Sequence, residues 1–408
     1  MPRRRSVTAL RGRVAGEMRH GLNYWRWAAV FAALLLAPAQ GVRAQSEERP
    51  LAQATSSPAA MAEYRRKLEE YTSSRRKYEA EADAYWSSVA DKRRLRLARR
   101  RNNQEIGLAD YVLMQPPVYS GPPKPIDPSA PIEEPPPKKY VPVVADFLSA
   151  AAKEFNFIPQ RPRSEIEYKR AYVKVASAAG LSKDQVVRIY AFESGGDGAY
   201  DVQAGLEQPK PGAQAISTAL GYNQLLATNS VELMAEIIKS LSAKAAGLSE
   251  EAKAALQRKI AVLKSMVAFC RSVPDTWSAH DQLANTPKGL AVHALNLDVD
   301  VGPLLQTQKL LDSVVFARAQ GYGAVLSAAE LEMMNLTGDG NGLDIVRMPS
   351  EWRDRVPTSN FFQPGGYERN PIAGRSKVVA KLIAATNAVM DRESKLQGAK
   401  ELAALFAN

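Results

Sequence analysis

Residues 182–226 read SKDQVVRIYAFESGGDGAYDVQAGLEQPKPGAQAISTALGYNQLL. This run sets one carboxylate, Glu193, just before a glycine pair. It then supplies a compact polar element, Gly221-Tyr222-Asn223-Gln224-Leu225-Leu226. A single carboxyl that keeps its proton near neutral pH can protonate a leaving oxygen and then take a proton from an attacking hydroxyl. A short Gly-x-x-Gln turn facing such an acid is what cleavage of a glycoside by one acid/base requires.

The elements that must position Glu193 are legible. Ser182 and Gln185 form a capping box, S-x-x-Q, which predicts a helix starting at Lys183. Val186, Val187, Tyr190 and Ala191 make one buried stripe. Gly195 and Gly196 supply the left-handed exit that ends the helix. Glu193 therefore falls in the last turn, where the helix dipole disfavours negative charge. Burial by Tyr190 and Phe192 would disfavour it further. Both effects raise the carboxyl pKa, as a glycosidase acid needs. The alternative is an ordinary solvated glutamate near a helix end.

ESGG followed by GYNQLL resembles the SLT-type lytic transglycosylases of the lysozyme-like superfamily, which carry a Glu-Ser at a helix end and then a Gly-Leu-Met-Gln-like turn. The resemblance implies that Glu193 is the general acid/base. It implies that Ser194, Tyr222, Asn223 and Gln224 hold the saccharide or orient Glu193. The spacing between the two elements is longer than in the family, and residues 205–217, rich in Pro, Gln and Gly, account for the excess as one wall of a cleft. Residues 297–305, LDVDVGPLL, resemble the family's N-I-x-x-G-x-x-Y-L segment. Met334-Asn335-Leu336-Thr337-Gly338 is the match to its Tyr-Asn-x-Gly stretch, with Met334 where the family has tyrosine. Asn335 then belongs to the substrate site. Tyr367 either replaces the missing tyrosine in space or packs in a core. The resemblance spans roughly residues 142–388. It implies a reaction that needs one carboxylate, with Glu193 closing an anhydro ring on N-acetylmuramic acid in peptidoglycan. Two alternatives stand beside it. A lysozyme-type hydrolase would use Asp197 or Asp201 as second carboxylate. A non-catalytic, peptidoglycan-binding envelope scaffold is suggested by Met334.

The net charge of +11 suggests nucleic acid only at first sight. Residues 1–44 hold eight Arg and one Glu, which leaves +4 for the remainder. The start reads as a secretory signal peptide: a basic stretch, an apolar run at residues 27–38, and Val42-Arg43-Ala44 as a small-x-small cleavage site. Periplasmic location follows as an expectation, with membrane contact only if the leader stays uncleaved. The single cysteine, Cys270, excludes an intramolecular disulfide and reads as a buried small hydrophobe. Beyond the leader only His280 and His293 remain, so neither a zinc site nor any other cofactor is expected. Residues 337–344, TGDGNGLD, fail the calcium-loop register and read as a tight glycine-rich turn.

Four segments are expected: the signal peptide (1–44), a polar, heptad-like helical segment (45–114), a proline-rich linker (115–142) and a mainly helical, lysozyme-like catalytic domain (143–408). Tyr64, Tyr71, Tyr78 and Tyr85 recur every seven residues. Residues 60–105 thus form a coiled-coil seam, a docking helix for an envelope protein, or an amphipathic helix packed on the catalytic domain. The basic run at 92–101 reads as a solvated helix face, or as a contact with an anionic envelope surface. The proline-rich stretch reads as a semi-rigid polyproline spacer. Helices are expected at 230–246 and 249–271, joined as a hairpin, and a helix pair at 376–406.

Overall fold

The computed structural model describes residues 57–130, 139–207, 210–246 and 250–407. The expected leader, positions 131–138 of the proline-rich stretch and the helix boundary at 247–249 lie outside the described residues. Among the described residues the fold is mainly helical. Extended pairing is confined to isolated bridges such as Gln203 with Leu220 and Leu220 with Leu225. No described helix is long and apolar enough to cross a membrane.

The helices run α1 (Pro58–Arg101), α2 (Val144–Phe155), α3 (Glu165–Ala178), α4 (Lys183–Ser194), α5 (Ala227–Ala246), α6 (Glu250–Cys270), α7 (Trp277–Ala284) and α8 (Pro287–His293). There follow α9 (Gly302–Ala319), α10 (Ala328–Thr337), α11 (Asp339–Arg347), α12 (Ser350–Arg353), α13 (Pro364–Glu368), α14 (Pro371–Ser376), α15 (Val379–Glu393) and α16 (Gln397–Ala404). They divide into two compact units. Val141–Arg347 and the chain from Ile383 onward form the first; α1 and the stretch after it form the second together with Met348–Leu382. The division differs from the sequence expectation of one domain over 143–408, because residues 348–382 group with the long helix.

In the first unit, α5 and α6 pack as the expected hairpin, and α2 lies on α8. Tyr168, Tyr172, Tyr190 and Tyr222 form the aromatic centre of the core, with Tyr222 edge-on to the other three rings at 4.8–5.2 Å. Cys270 is buried in this core. His293 is a core histidine: Ser230 Oγ lies 2.8 Å from Nδ1 and Thr218 O 2.7 Å from Nε2. Burial pushes its pKa down to about 4, so it is neutral.

The glycine-rich stretch read as a turn is a helix junction instead. Only Gly338 lies outside helix, and α11 starts at Asp339. α11 can cross α10 closely because Gly342 has no side chain. A Cβ there would stand 2.3 Å from Met334 Cα and 2.6 Å from Met334 N. Gly342→Ala is therefore expected to destabilise the first unit by about 1–3 kcal/mol through backbone displacement. Urea unfolding followed by circular dichroism measures it, and a change below about 0.5 kcal/mol would refute the close crossing.

In the second unit the tyrosine heptads do not form an open seam. Tyr119, from the proline-rich stretch, packs edge-on to Tyr71 and Tyr78 at 6.2 and 5.5 Å. The Arg75 guanidinium lies over Tyr119 and Tyr78. Tyr85 bonds to Ser359 Oγ at 2.6 Å and donates to Met114 O at 3.1 Å. The proline-rich stretch is thus packed against α1 around Tyr119 rather than held off as a spacer, since proline-fixed extended backbone presents that ring at little entropic cost. The reading of the basic run as a solvated face is corrected at two of its seven basic positions. Arg93 and Arg96 are buried, and their guanidinium groups donate to the Asn360, Phe362 and Asp110 carbonyls. The fork-shaped guanidinium suits such carbonyl clusters, which is why arginines on a polar helix point inward here.

Candidate functional site

α4 forms as its sequence dictates. Ser182 Oγ accepts from Gln185 N at 3.2 Å, and Gln185 Oε1 accepts from Ser182 N at 2.8 Å. Gly195, at φ 67°, ends the helix in the left-handed region. Glu193 is carried in the last turn as expected, and part of its surface stays exposed.

α10 brings the partners. A capping box of Ser327 and Glu330 starts this helix, with Ser327 N donating to Glu330 Oε2 at 2.8 Å. Glu332 and Asn335 then fall on one face, three residues apart. The Asn335 amide nitrogen donates to Glu193 Oε1 at 2.6 Å and reaches Glu332 Oε1 at 3.4 Å. The Glu332 carboxyl, 0% exposed, lies within hydrogen-bonding reach of Glu193. Lys309 of α9, also buried, adds a positive charge felt by both carboxyls.

The electrostatics follow from burial. Loss of solvent pushes the Glu193 carboxyl up to about 7, against the lowering effects of Glu332, Lys309 and Asn335. Glu332 is held well above the usual carboxylate range, first by burial and then by the charge and hydrogen bond of Glu193. The pair shares its protons, as adjacent buried carboxyls do. Glu193 can therefore exist in both protonation states near neutral pH, which is the requirement for a group that first donates and then accepts a proton.

The Gly221–Gln224 element is a closed turn. Leu220 and Leu225 exchange both backbone hydrogen bonds at 3.0 Å, and Gln224 closes the turn at φ 44°. Its side chains divide: Tyr222 and Asn223 are buried, and Gln224 is half-buried. Tyr222 is 0% exposed and donates its hydroxyl to Glu165. Asn223 is buried: its N–H donates to Gln306 Oε1 at 2.7 Å and its amide to Gln306 O at 2.8 Å. The Gln224 amide donates to Gly221 O at 2.8 Å. Ser194 Oγ donates to Tyr190 O at 2.7 Å. These residues fix the site's frame. Tyr222 and Asn223 are corrected from saccharide contacts to core residues, because aromatic packing and Gln306 consume their surfaces. Asn335, expected in the substrate site, contacts Glu193.

Tyr367 belongs to the second unit, where it packs between Trp86 and Phe362 with ring centroids at 5.7 and 6.2 Å. It is the core tyrosine of the two readings. Met334 is buried in the first unit's core, so α10 supplies no hydroxyl there. Asp197 accepts from Gly398 N at 2.7 Å, and Asp201 pairs with Arg161. Both line a cavity of about 400 Å³ with Val144, Gln203 and Glu207, and Glu193 is not part of its wall.

Sequence reading missed Glu332 and Lys309. A signal for Glu332 exists. Glu330 is accounted for by the cap of α10, which leaves Glu332 as an acid between Leu331 and Met333 with no local role. In comparisons with known proteins the chain matches no family model, no curated protein and no solved structure.

Proposed function

We propose that the chain is a peptidoglycan lytic transglycosylase with Glu193 as its single acid/base. One observation carries the reading: a glutamate in the last turn of α4, half-buried as a residue, whose carboxyl is raised to about 7 by burial and held by an asparagine from α10. Glu193 protonates the glycosidic oxygen between N-acetylmuramic acid and N-acetylglucosamine. The bond to the muramyl anomeric carbon then breaks. The resulting carboxylate takes the proton of the muramyl 6-hydroxyl as that oxygen closes the 1,6-anhydro ring, so Glu193 ends as it began. The two-carboxylate hydrolase is less well supported. Asp197 and Asp201, the second carboxyls it would use, line a cavity whose wall does not include Glu193. The same reading places the chain in the periplasm, on glycan strands, with α1 available to an envelope partner.

The test is a digest of purified peptidoglycan with the mature chain from residue 45, analysed by mass spectrometry. Muropeptides lighter by one water are the expected product. Reducing-end products would replace the proposal with a hydrolase. Retention on the sacculus with no release would replace it with a scaffold.

A further inference from the structure

We infer that Glu332 is a positioning residue for Glu193: it keeps a proton and donates it to the Glu193 carboxylate, behind the surface that a substrate can reach. The role rests on the acid/base reading of Glu193; the proton shared between the carboxyls does not.

Glu332 Oε2 is buried and receives no hydrogen bond from the protein. A buried carboxylate oxygen without a donor is costly, and a second carboxylate within hydrogen-bonding reach makes it worse. One proton removes both costs. It turns Glu332 into a donor and Glu193 into its acceptor. With Lys309 charged, Glu193 ionised and Glu332 neutral, the buried set carries no net charge.

The surroundings are consistent with this. α4 contributes Glu193, α10 contributes Glu332 and Asn335, and α9 contributes Lys309. Several charges on neighbouring elements have partners of their own. On α11, Asp339 accepts from Ser313 Oγ at 2.7 Å, and Asp344 is buried. On α16, Glu401 pairs with Lys169 of α3 at 2.8 Å. On α3, Glu165 takes the Tyr222 hydroxyl. On α4 and α15, Arg188 pairs with Asp391.

The consequence for the reaction is specific. After Glu193 gives up its proton, its carboxylate stands in a site that burial has made hostile to charge. The Glu332 O–H and the Asn335 N–H hold that carboxylate until it collects the hydroxyl proton. Glu332 exchanges no proton with the substrate.

Two variants test the role in the full chain: Glu332→Gln, a neutral side chain that keeps a donor, and Glu332→Met, which has none. Carboxyl-13C glutamate NMR, with Glu193→Gln to assign the signal, gives the Glu193 midpoint directly. The expected result is a midpoint within about one unit of the wild type in Glu332→Gln, and one raised by about a unit or more in Glu332→Met. The alkaline limb of muropeptide release should stay in place in the first variant and move up in the second, with release at pH 7 down roughly tenfold. A Glu193 midpoint that falls toward 4.5 in Glu332→Gln would overturn the inference, because the neighbour's charge, not its proton, would then be what raises Glu193. Equal damage from both variants with an unmoved midpoint would also overturn it, leaving Glu332 as packing. If Glu332→Met does not fold, the Gln variant alone decides. If the midpoints behave as expected while the wild type releases nothing, the shared proton stands and only the transglycosylase reading fails.

Discussion

Glu193→Gln is expected to abolish release of anhydromuropeptides, by about 10³-fold or more, and at the same time to stabilise the chain at pH 8. The first effect follows from the loss of the only group assigned to move a proton, since positioned acids and bases contribute about 10²–10⁴-fold. The second follows from linkage. The folded Glu193 carboxyl is raised from 4.5 to about 7, so the folded state favours the protonated form. The stabilisation is complete below the unfolded value, near 4.5, and is lost as pH rises through about 7. Across that window the wild type should lose on the order of 3 kcal/mol. A neutral glutamine has no such loss. Urea unfolding at pH 5 and pH 8 measures both proteins, and the variant should exceed the wild type only at the higher pH. A variant less stable at both pH values, or one that still yields anhydro products, would remove Glu193 from the role. Loss of activity with gain of stability separates a functional acid from a structural one, because a structural glutamate would lose stability on replacement.

Arg96→Ala is expected to open the second unit locally, at a cost of about 3 kcal/mol. Arg96 is 1% exposed, donates at 3.0 Å to both Asp110 O and Asn360 O, and stacks on Tyr111 at 4.5 Å. Alanine would take this donor from Asp110 O, leave Asn360 O with the longer bond from Arg93, and open a void beside the Tyr111 and Phe361 rings. Arg93 already donates to Asn360 O at 3.3 Å and to Phe362 O at 2.6 Å, and loss of solvent together with the charge of Arg96 lowers its pKa to about 10. Deuterium exchange over residues 107–112 and 357–362 should accelerate by about two orders of magnitude. Unchanged exchange there would mean that the arginine is carried by the fold and does not hold it.

How far the sequence carries depends on where the deciding partner lies. α4 is readable to the residue, because its cap, its stripe and its glycine exit are all local. α5 starts at Ala227, three residues before the expected start, because Leu226 N is capped by Asn229 Oδ1, a device hidden inside the first turn. Glu193 was legible as a raised acid, but its partner comes from a helix 139 residues further on, which periodicity does not reveal. The Gly221–Gln224 turn was legible as a motif. Which of its side chains point inward was not, because Gln306 and the tyrosine cluster decide it. Charge was the poorest guide: Arg93 and Arg96 sit in a run that reads as surface, and carbonyls of Asn360 and Phe362, far along the chain, help to offset their burial.

α9 also works as a ruler. Gln306 grips the Asn223 turn, and Lys309, three residues later on the same helix, serves the carboxyl pair. The spacing between those two attachments is set by helix pitch, so it comes in steps of about 100° and 1.5 Å. Substitutions along α9 can be absorbed by repacking. A single inserted or deleted residue between Gln306 and Lys309 cannot, since it would swing the ammonium off the acid while leaving the turn gripped. The segment is therefore tolerant in composition and intolerant in length.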